Sequence, residues 1–130
     1  MKSLVVNSWE VKGIERSAPY RRTWKIIMAP DLHKNRDLAV CQVIVPVGSR
    51  SDAHSHEIES EYWIVTDGRG YVEIDGEKTP IEPGSVAYAA PKTSHAIINT
   101  GEEPLKAYFL FAPPGPEKKL VEMIQGKMKS

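Results

Sequence analysis

The sequence predicts an all-β chain, a small antiparallel sandwich or barrel with one short helix near its C-terminal end. Short runs of β-branched and aromatic residues recur through the middle of the chain. Gly and Pro punctuate them, and no long helical pattern lies between them, which is the pattern of closely spaced strands joined by turns. The 130 residues suit one domain, able to bury a core without staples. At 41% hydrophobic and 26% charged residues the chain reads as globular, and its ten prolines and nine glycines enrich it in turns without approaching disorder.

Taken in order, residues 1–30 are mixed. Val5, Trp9 and Val11 predict an early strand, and Trp24-Lys25-Ile26-Ile27 predicts another. Asp31 to Asp37 is polar and charged and reads as a loop. The core of the domain spans about residues 38–111. Leu38 to Val45 is a β-branched run closed by Pro46 and Gly48, and Glu61 to Thr66 is a second that stops at Asp67-Gly68. Tyr71 to Asp75 alternates and runs into Asp75-Gly76, a pair suited to a tight hairpin turn. Ser85 to Ala90, His95 to Asn99 and Leu105 to Phe111 complete the strands. Pro113, Pro114 and Pro116 then take the chain out of any ladder. Residues 117–129 predict a helix with Leu120, Val121, Ile124 and Met128 on one stripe.

Composition narrows function mostly by exclusion. Seventeen Lys+Arg balance seventeen Asp+Glu, so no whole-chain electrostatic grip on nucleic acid or an acidic membrane is expected. No apolar stretch approaches the ~18 residues of a membrane helix, and Leu4-Val5-Val6 is too short for a signal-peptide core. The single cysteine, Cys41, excludes an intramolecular disulfide and a Cys-only zinc cage. A reduced Cys41 fits the cytoplasm, the expected compartment.

Chemistry concentrates in four residues. On an extended segment His54 and His56 point to one face, about 6–7 Å apart, so two imidazoles can converge on one ion. Glu61 heads the next strand and His95 begins a later one. A fold that gathers them offers three imidazole nitrogens and one carboxylate oxygen. Imidazole suits Zn, Cu, Fe and Ni, and the carboxylate adds affinity for harder ions such as Mn.

From Gly48 to Gly68 the chain reads G-SRSDA-H-S-H-EIES-E-YWIVTD-G. This resembles the first motif of the cupin superfamily: Gly, five residues, His-x-His, three or four residues, Glu, six residues, Gly. From Gly84 to Asn99 it reads G-SVAYA-A-P-K-TS-H-AII-N, similar to the second cupin motif, with Gly84, His95 and Asn99 at the family spacing. Two positions depart from that motif: Ala90 stands where the family has proline, and Lys92 where it has glycine.

The resemblance implies a small antiparallel jelly-roll barrel and a metal held by His54, His56, Glu61 and His95. It implies one divalent transition metal per chain (Mn, Fe, Ni, Zn or Cu) and turn roles for Gly48, Gly68 and Gly84. Asn99 takes a structural role, and a homodimer is expected. It also implies a metal-dependent enzyme acting on a small polar or carbonyl-containing metabolite, of dioxygenase, lyase, decarboxylase or isomerase type. The alternative is a non-catalytic small-molecule-binding protein: a sensor, carrier or accessory subunit with a structural metal.

Other residues read less specifically. Strand parity places Trp63 and Val65 on the face of Glu61, where Trp63 either lines a pocket or fills the core. Arg50 and Asp52 share the parity of His54 but read as surface residues, and Tyr88 and Gln42 are weaker candidates for the pocket. Arg21-Arg22 reads as a solvated charge pair, His33 as part of a solvated loop, and Cys41 as a small buried hydrophobe. Neither a Gly-rich phosphate loop nor a G-x-S-x-G elbow is present.

Overall fold

The structure, a computed structural model, describes residues 4–126. Nine strands form two antiparallel sheets among these residues. The strands are β1 (Ile14–Arg16), β2 (Arg22–Met28), β3 (Ala39–Val45), β4 (Ser60–Asp67), β5 (Gly70–Ile74), β6 (Glu77–Ile81), β7 (Val86–Ala89), β8 (His95–Asn99) and β9 (Leu105–Ala112). The larger sheet runs β1-β2-β3-β9-β4-β7 and the smaller β6-β5-β8. Bridges from Arg50 to Ile98 and from His54 to His95 lay the 50–54 segment along the free edge of β8.

The inner faces follow a period of two. Cys41, Val43 and Val45 on β3, Trp63 and Val65 on β4, and Leu105, Ala107, Phe109 and Phe111 on β9 are all buried. Val72 on β5 and Ile97 on β8 meet them from the other sheet. The same alternation turns His95 and Asn99 inward beside Ile97. Asn99 ties loops together: its Nδ2 donates to the carbonyls of Val45 (2.9 Å) and Glu103 (2.8 Å), and its Oδ1 accepts from the Gly101 N–H (2.9 Å). Gly68 turns at φ +82°, where a Cβ would lie 2.5 Å from the Pro104 carbonyl oxygen.

Three expectations need correction. The early strand expected from Val5 to Val11 is absent. A 3-10 turn occupies Ser8–Glu10, Val5 and Trp9 are 79% and 77% exposed, and the strand falls at Ile14–Arg16, where β2 offers a partner. The loop expected from Asp31 begins instead with a short helix, α1 (Pro30–His33), started by a proline at its first turn and ended by Lys34 at φ 65°. A strand not anticipated, β6, closes the hairpin through Asp75 and Gly76, both at positive φ. Its first four residues, Glu77 to Pro80, are exposed, so it carries no apolar alternation to reveal it.

The C-terminal helix, α2, spans Lys118–Ile124, with Leu120 and Val121 buried against the core. The helix is shorter than expected: Gln125 and Gly126 already turn out of it, Ile124 is 47% exposed and not on the buried stripe, and residues 127–129 lie outside the described residues.

Candidate metal centre

The fold gathers His54, His56, Glu61 and His95 so that one donor atom from each lies within 4.8 Å of the others. Each arrives by a different local cause. His54 and His95 face each other as an antiparallel pair, with backbone bonds of 3.1 and 2.8 Å in the two directions, and their ring centroids stand 4.4 Å apart. His56 follows two residues on, its ring centroid 5.2 Å from both. Glu61 points inward from β4 by the parity that also buries Trp63 and Val65.

Second contacts aim the rings. His54 Nδ1 faces the Asp52 carbonyl oxygen at 3.0 Å and His95 Nδ1 faces the Thr93 carbonyl oxygen at 3.1 Å. A carbonyl only accepts, so both Nδ1 atoms carry hydrogen and both Nε2 atoms turn inward as lone pairs when the rings are neutral. His95 Nε2 and His56 Nε2 each lie 3.1 Å from the same oxygen, Glu61 Oε1. For neutral His95 this sets an acceptor against an acceptor in a site where His95 is 2% exposed and Glu61 4%. A cation between them, a divalent metal or a second proton, removes the conflict, and three imidazoles with one carboxylate are a donor set that first-row metals favour. The residues therefore fit the group that the motif implies.

The electrostatics agree. Burial works against ionisation of Glu61, but the His56 and His95 rings, which give it a hydrogen bond and a positive charge when protonated, outweigh burial and hold the carboxyl below its ordinary value, so the cluster favours an anionic Glu61 beside a cation. Burial pushes His54 below its ordinary value, favouring the neutral ring that ligation needs. Trp63 and Phe111 pack edge-on against His95 and His56, with centroids 5.2 and 5.3 Å away, and keep one side of the cluster dry.

The cluster opens on a cavity of about 750 Å³. Trp24, Val43, Ile97 and Phe109 form apolar walls, and Lys119, Leu120 and Met123 of α2 line another side. Trp63 lines the cavity, whereas Val65 is core. Asp52 also lines it, and its carboxylate receives Arg16 and Arg22 at 3.3 Å each. Arg50 does not reach the cavity; its Nε donates to the Ser51 carbonyl at 3.1 Å. Tyr88 is 49% exposed on the opposite face of the sheet against Tyr62, and Gln42, though buried, points away from the face of Cys41 and Val43. His33 Nδ1 accepts the Ala29 N–H at 3.1 Å, remote from the cluster in role. Cys41 is buried, and burial pushes its thiol far up, so it is inert at neutral pH.

Two readings of the sequence are overturned. Asp52, expected at the surface, lines the cavity and pairs with buried Arg22. Arg21 is exposed, but its neighbour Arg22 is only 5% exposed and lines the cavity, so the two are not a solvated pair. The signal was present: Arg22, Trp24 and Ile26 share one strand parity, and the apolar pair marks their face as inward.

The turn before His95 also resolves. Lys92, where the second motif has glycine, adopts φ 67° and donates its N–H to the His56 carbonyl at 2.6 Å. The backbone keeps the turn that a glycine would make, and with it the place of His95.

A family model described as a cupin domain matches residues 41–111. An uncharacterized protein of Methanocaldococcus jannaschii is 35% identical over 88 residues, covering 68% of this chain and 70% of that protein. The oxalate-binding protein of Thermotoga maritima is 29% identical over 80 residues, 62% of this chain and 66% of that one. Among solved structures, a predicted oxalate decarboxylase from Thermotoga maritima superposes with a TM-score of 0.78 at 24% identity, covering 85% of this chain and 100% of that one. KdgF from Halomonas sp. superposes at 0.76 and 22% identity, covering 90% and 99%. These two structural likenesses establish the shared fold.

Proposed function

The chain belongs to the cupin family, and from that premise we propose that it is a metal-dependent enzyme acting on a small, oxygen-rich molecule with a carbonyl or carboxylate group. The observation that carries the reading is the convergence of His54, His56, Glu61 and His95 on one point at the wall of a cavity of about 750 Å³. One divalent transition metal held there supplies Lewis-acid polarisation of a substrate oxygen or, if it is iron, oxygen chemistry. The chain's own groups do the rest. The Asp52 and Thr93 carbonyls hold the His54 and His95 rings, and the aromatic walls exclude water and orient the substrate.

The test is elemental analysis of protein from metal-supplemented medium, followed by turnover assays on 2-oxo acids, diketones and sugars with and without oxygen. About one metal per chain with turnover supports the reading, and metal far below one per chain overturns it. A second reading, a non-catalytic binding protein, is favoured by the likeness to an oxalate-binding protein. Ligand binding to the metal-loaded chain without turnover of any compound decides for it. We further propose that the chain works in the cytoplasm and pairs with a second copy. Tyr62, Ile64, Val86 and Tyr88, exposed side by side on β4 and β7, support the pairing.

A further inference from the structure

Arg22 is a cation where a barrel of this size has little reason to bury one. It projects from β2 into the cavity at 5% exposure, whereas the Arg16 side chain is 36% exposed. Arginine is almost never buried to this degree unless paired, and the pairing here is incomplete. Arg16 and Arg22 both donate to the same oxygen, Asp52 Oδ1, at 3.3 Å each. One carboxylate thus answers two guanidinium groups at hydrogen-bonding distance, and Glu57, Glu59 and Glu61, which line the same cavity, make no hydrogen bond to either arginine. The other bonds of Arg22 go from Nη1 to the backbone carbonyls of Tyr20 (3.2 Å) and Arg50 (3.4 Å). All are longer than the ~2.7–2.9 Å of a well-made charge-assisted bond. Three of the five N–H groups are so used, which leaves the Nε–H and one Nη2–H without a protein acceptor among the described residues. The Trp24 ring, its centroid 5.0 Å from the guanidinium carbon, braces the plane.

Asp52 joins this group to the candidate metal centre. Its carboxylate holds the two arginines while its backbone carbonyl holds the His54 ring. Arg22, His54 and His56 therefore line one cavity, with Asp52 between the arginine and the first histidine.

We propose that Arg22 determines substrate specificity by receiving a carboxylate of the substrate that is distinct from the oxygens facing the His–Glu cluster. The inference rests on the metal reading above and narrows it to a substrate with an anionic carboxylate at one end and a metal-facing oxo or carboxylate group at the other. A carboxylate matches the two remaining N–H donors with one negative charge, whereas a phosphate dianion would bring a second into a cavity already lined by Glu57, Glu59 and Glu61.

The test compares matched acids on the manganese-loaded protein by calorimetry: 2-oxoglutarate against 2-oxopentanoate, and 2-oxoadipate against 2-oxohexanoate. Each pair shares its 2-oxo acid end and differs by the distal carboxylate. Wild type should bind at least one diacid about 10-fold or more tighter than its partner. Arg22→Gln should erase that preference while leaving the monoacid affinity and the manganese content unchanged. No preference in wild type, an equal loss for both acids in Arg22→Gln, or a preference that survives the substitution overturns the proposal. If Arg22→Gln melts early, Arg22→Lys is read instead. It keeps the charge but not the planar fork, and should cut the preference at least about threefold; an undiminished preference overturns the proposal. Wild type that takes up neither manganese nor iron, nickel, zinc or copper defeats the metal reading alone. The arginine is then judged by glutarate binding to metal-free protein, which must be weaker in Arg22→Gln for the proposal to stand.

Discussion

Two residues show how a single position acts through backbone as well as side chain. Lys92 holds φ 67°, a conformation that costs an L-residue about 1–2 kcal/mol, and a glycine there would lose part of the gain to its freer unfolded chain. Lys92→Gly should therefore raise the stability to urea by about 0.5–1 kcal/mol without changing metal content. His56 acts through its side chain. His56→Ala should remove most metal and leave far-UV circular dichroism unchanged, because the barrel rests on apolar packing between its strands. His33→Ala should leave metal content intact, since its ring serves the turn at Ala29. Equal metal loss from both variants would show that the ligand set is wrong. The four convergent donors were legible because their spacing is dense and chemically unusual. Arg22 was passed over because beside Arg21 it looks like any surface pair, although the parity it shares with Trp24 and Ile26 marked it as inward.

At the scale of elements, α2 belongs to the site as well as to the core. Leu120 is 8% exposed, packs in the main cluster and lines the cavity. Leu120→Ala should cost about 2–3 kcal/mol in equilibrium unfolding. It should also weaken ligand binding while metal content holds, because the cavity loses a wall and keeps its metal-facing groups. A variant that loses metal and ligand together would place the helix in support of the ligands instead. β8 was legible in full and β9 to within one residue, Ala112, since H-A-I-I-N and the alternation of Leu105, Ala107, Phe109 and Phe111 carry their own burial pattern. β6 was not, because Glu77-Lys78-Thr79-Pro80 is held by its hairpin partner rather than by apolar contacts of its own.

For the whole molecule, the buried titratable groups set how stability responds to acid. Burial lowers His54 from its ordinary 6.5, so between that value and its folded one the unfolded chain binds the proton and the native state does not. Stability contributed by His54 is thus complete above pH 6.5 and is lost as the pH falls below it. Glu61, held below its ordinary 4.5, adds a second loss below that pH. Thermal melts of metal-free protein should show Tm flat from pH 8 to 7, falling from about pH 6.5, and falling again below about 4.5. A Tm that rises on acidification to pH 5.5 would contradict the environment described for His54. The apolar patch of Tyr62, Ile64, Val86 and Tyr88 belongs to the same scale. Light scattering at micromolar concentration should give twice the 14.5 kDa chain mass, and Val86→Lys should shift it toward the monomer. A wild-type species at 14.5 kDa would remove the pairing.

The sequence by itself determined the fold class, most of the strands and the four convergent donors. Each of these depends on short-range regularities: a period of two, turns that need glycine, and donor residues at set spacings. Tertiary structure alone decided which way the remaining groups face. It placed the first strand at Ile14–Arg16, where β2 supplies its hydrogen bonds, and not at the apolar residues before it. It brought Asp52 between two arginines and a histidine that stand far apart in the chain. A charge shows no period in the sequence, and its burial depends on the partners that long-range pairing brings to it.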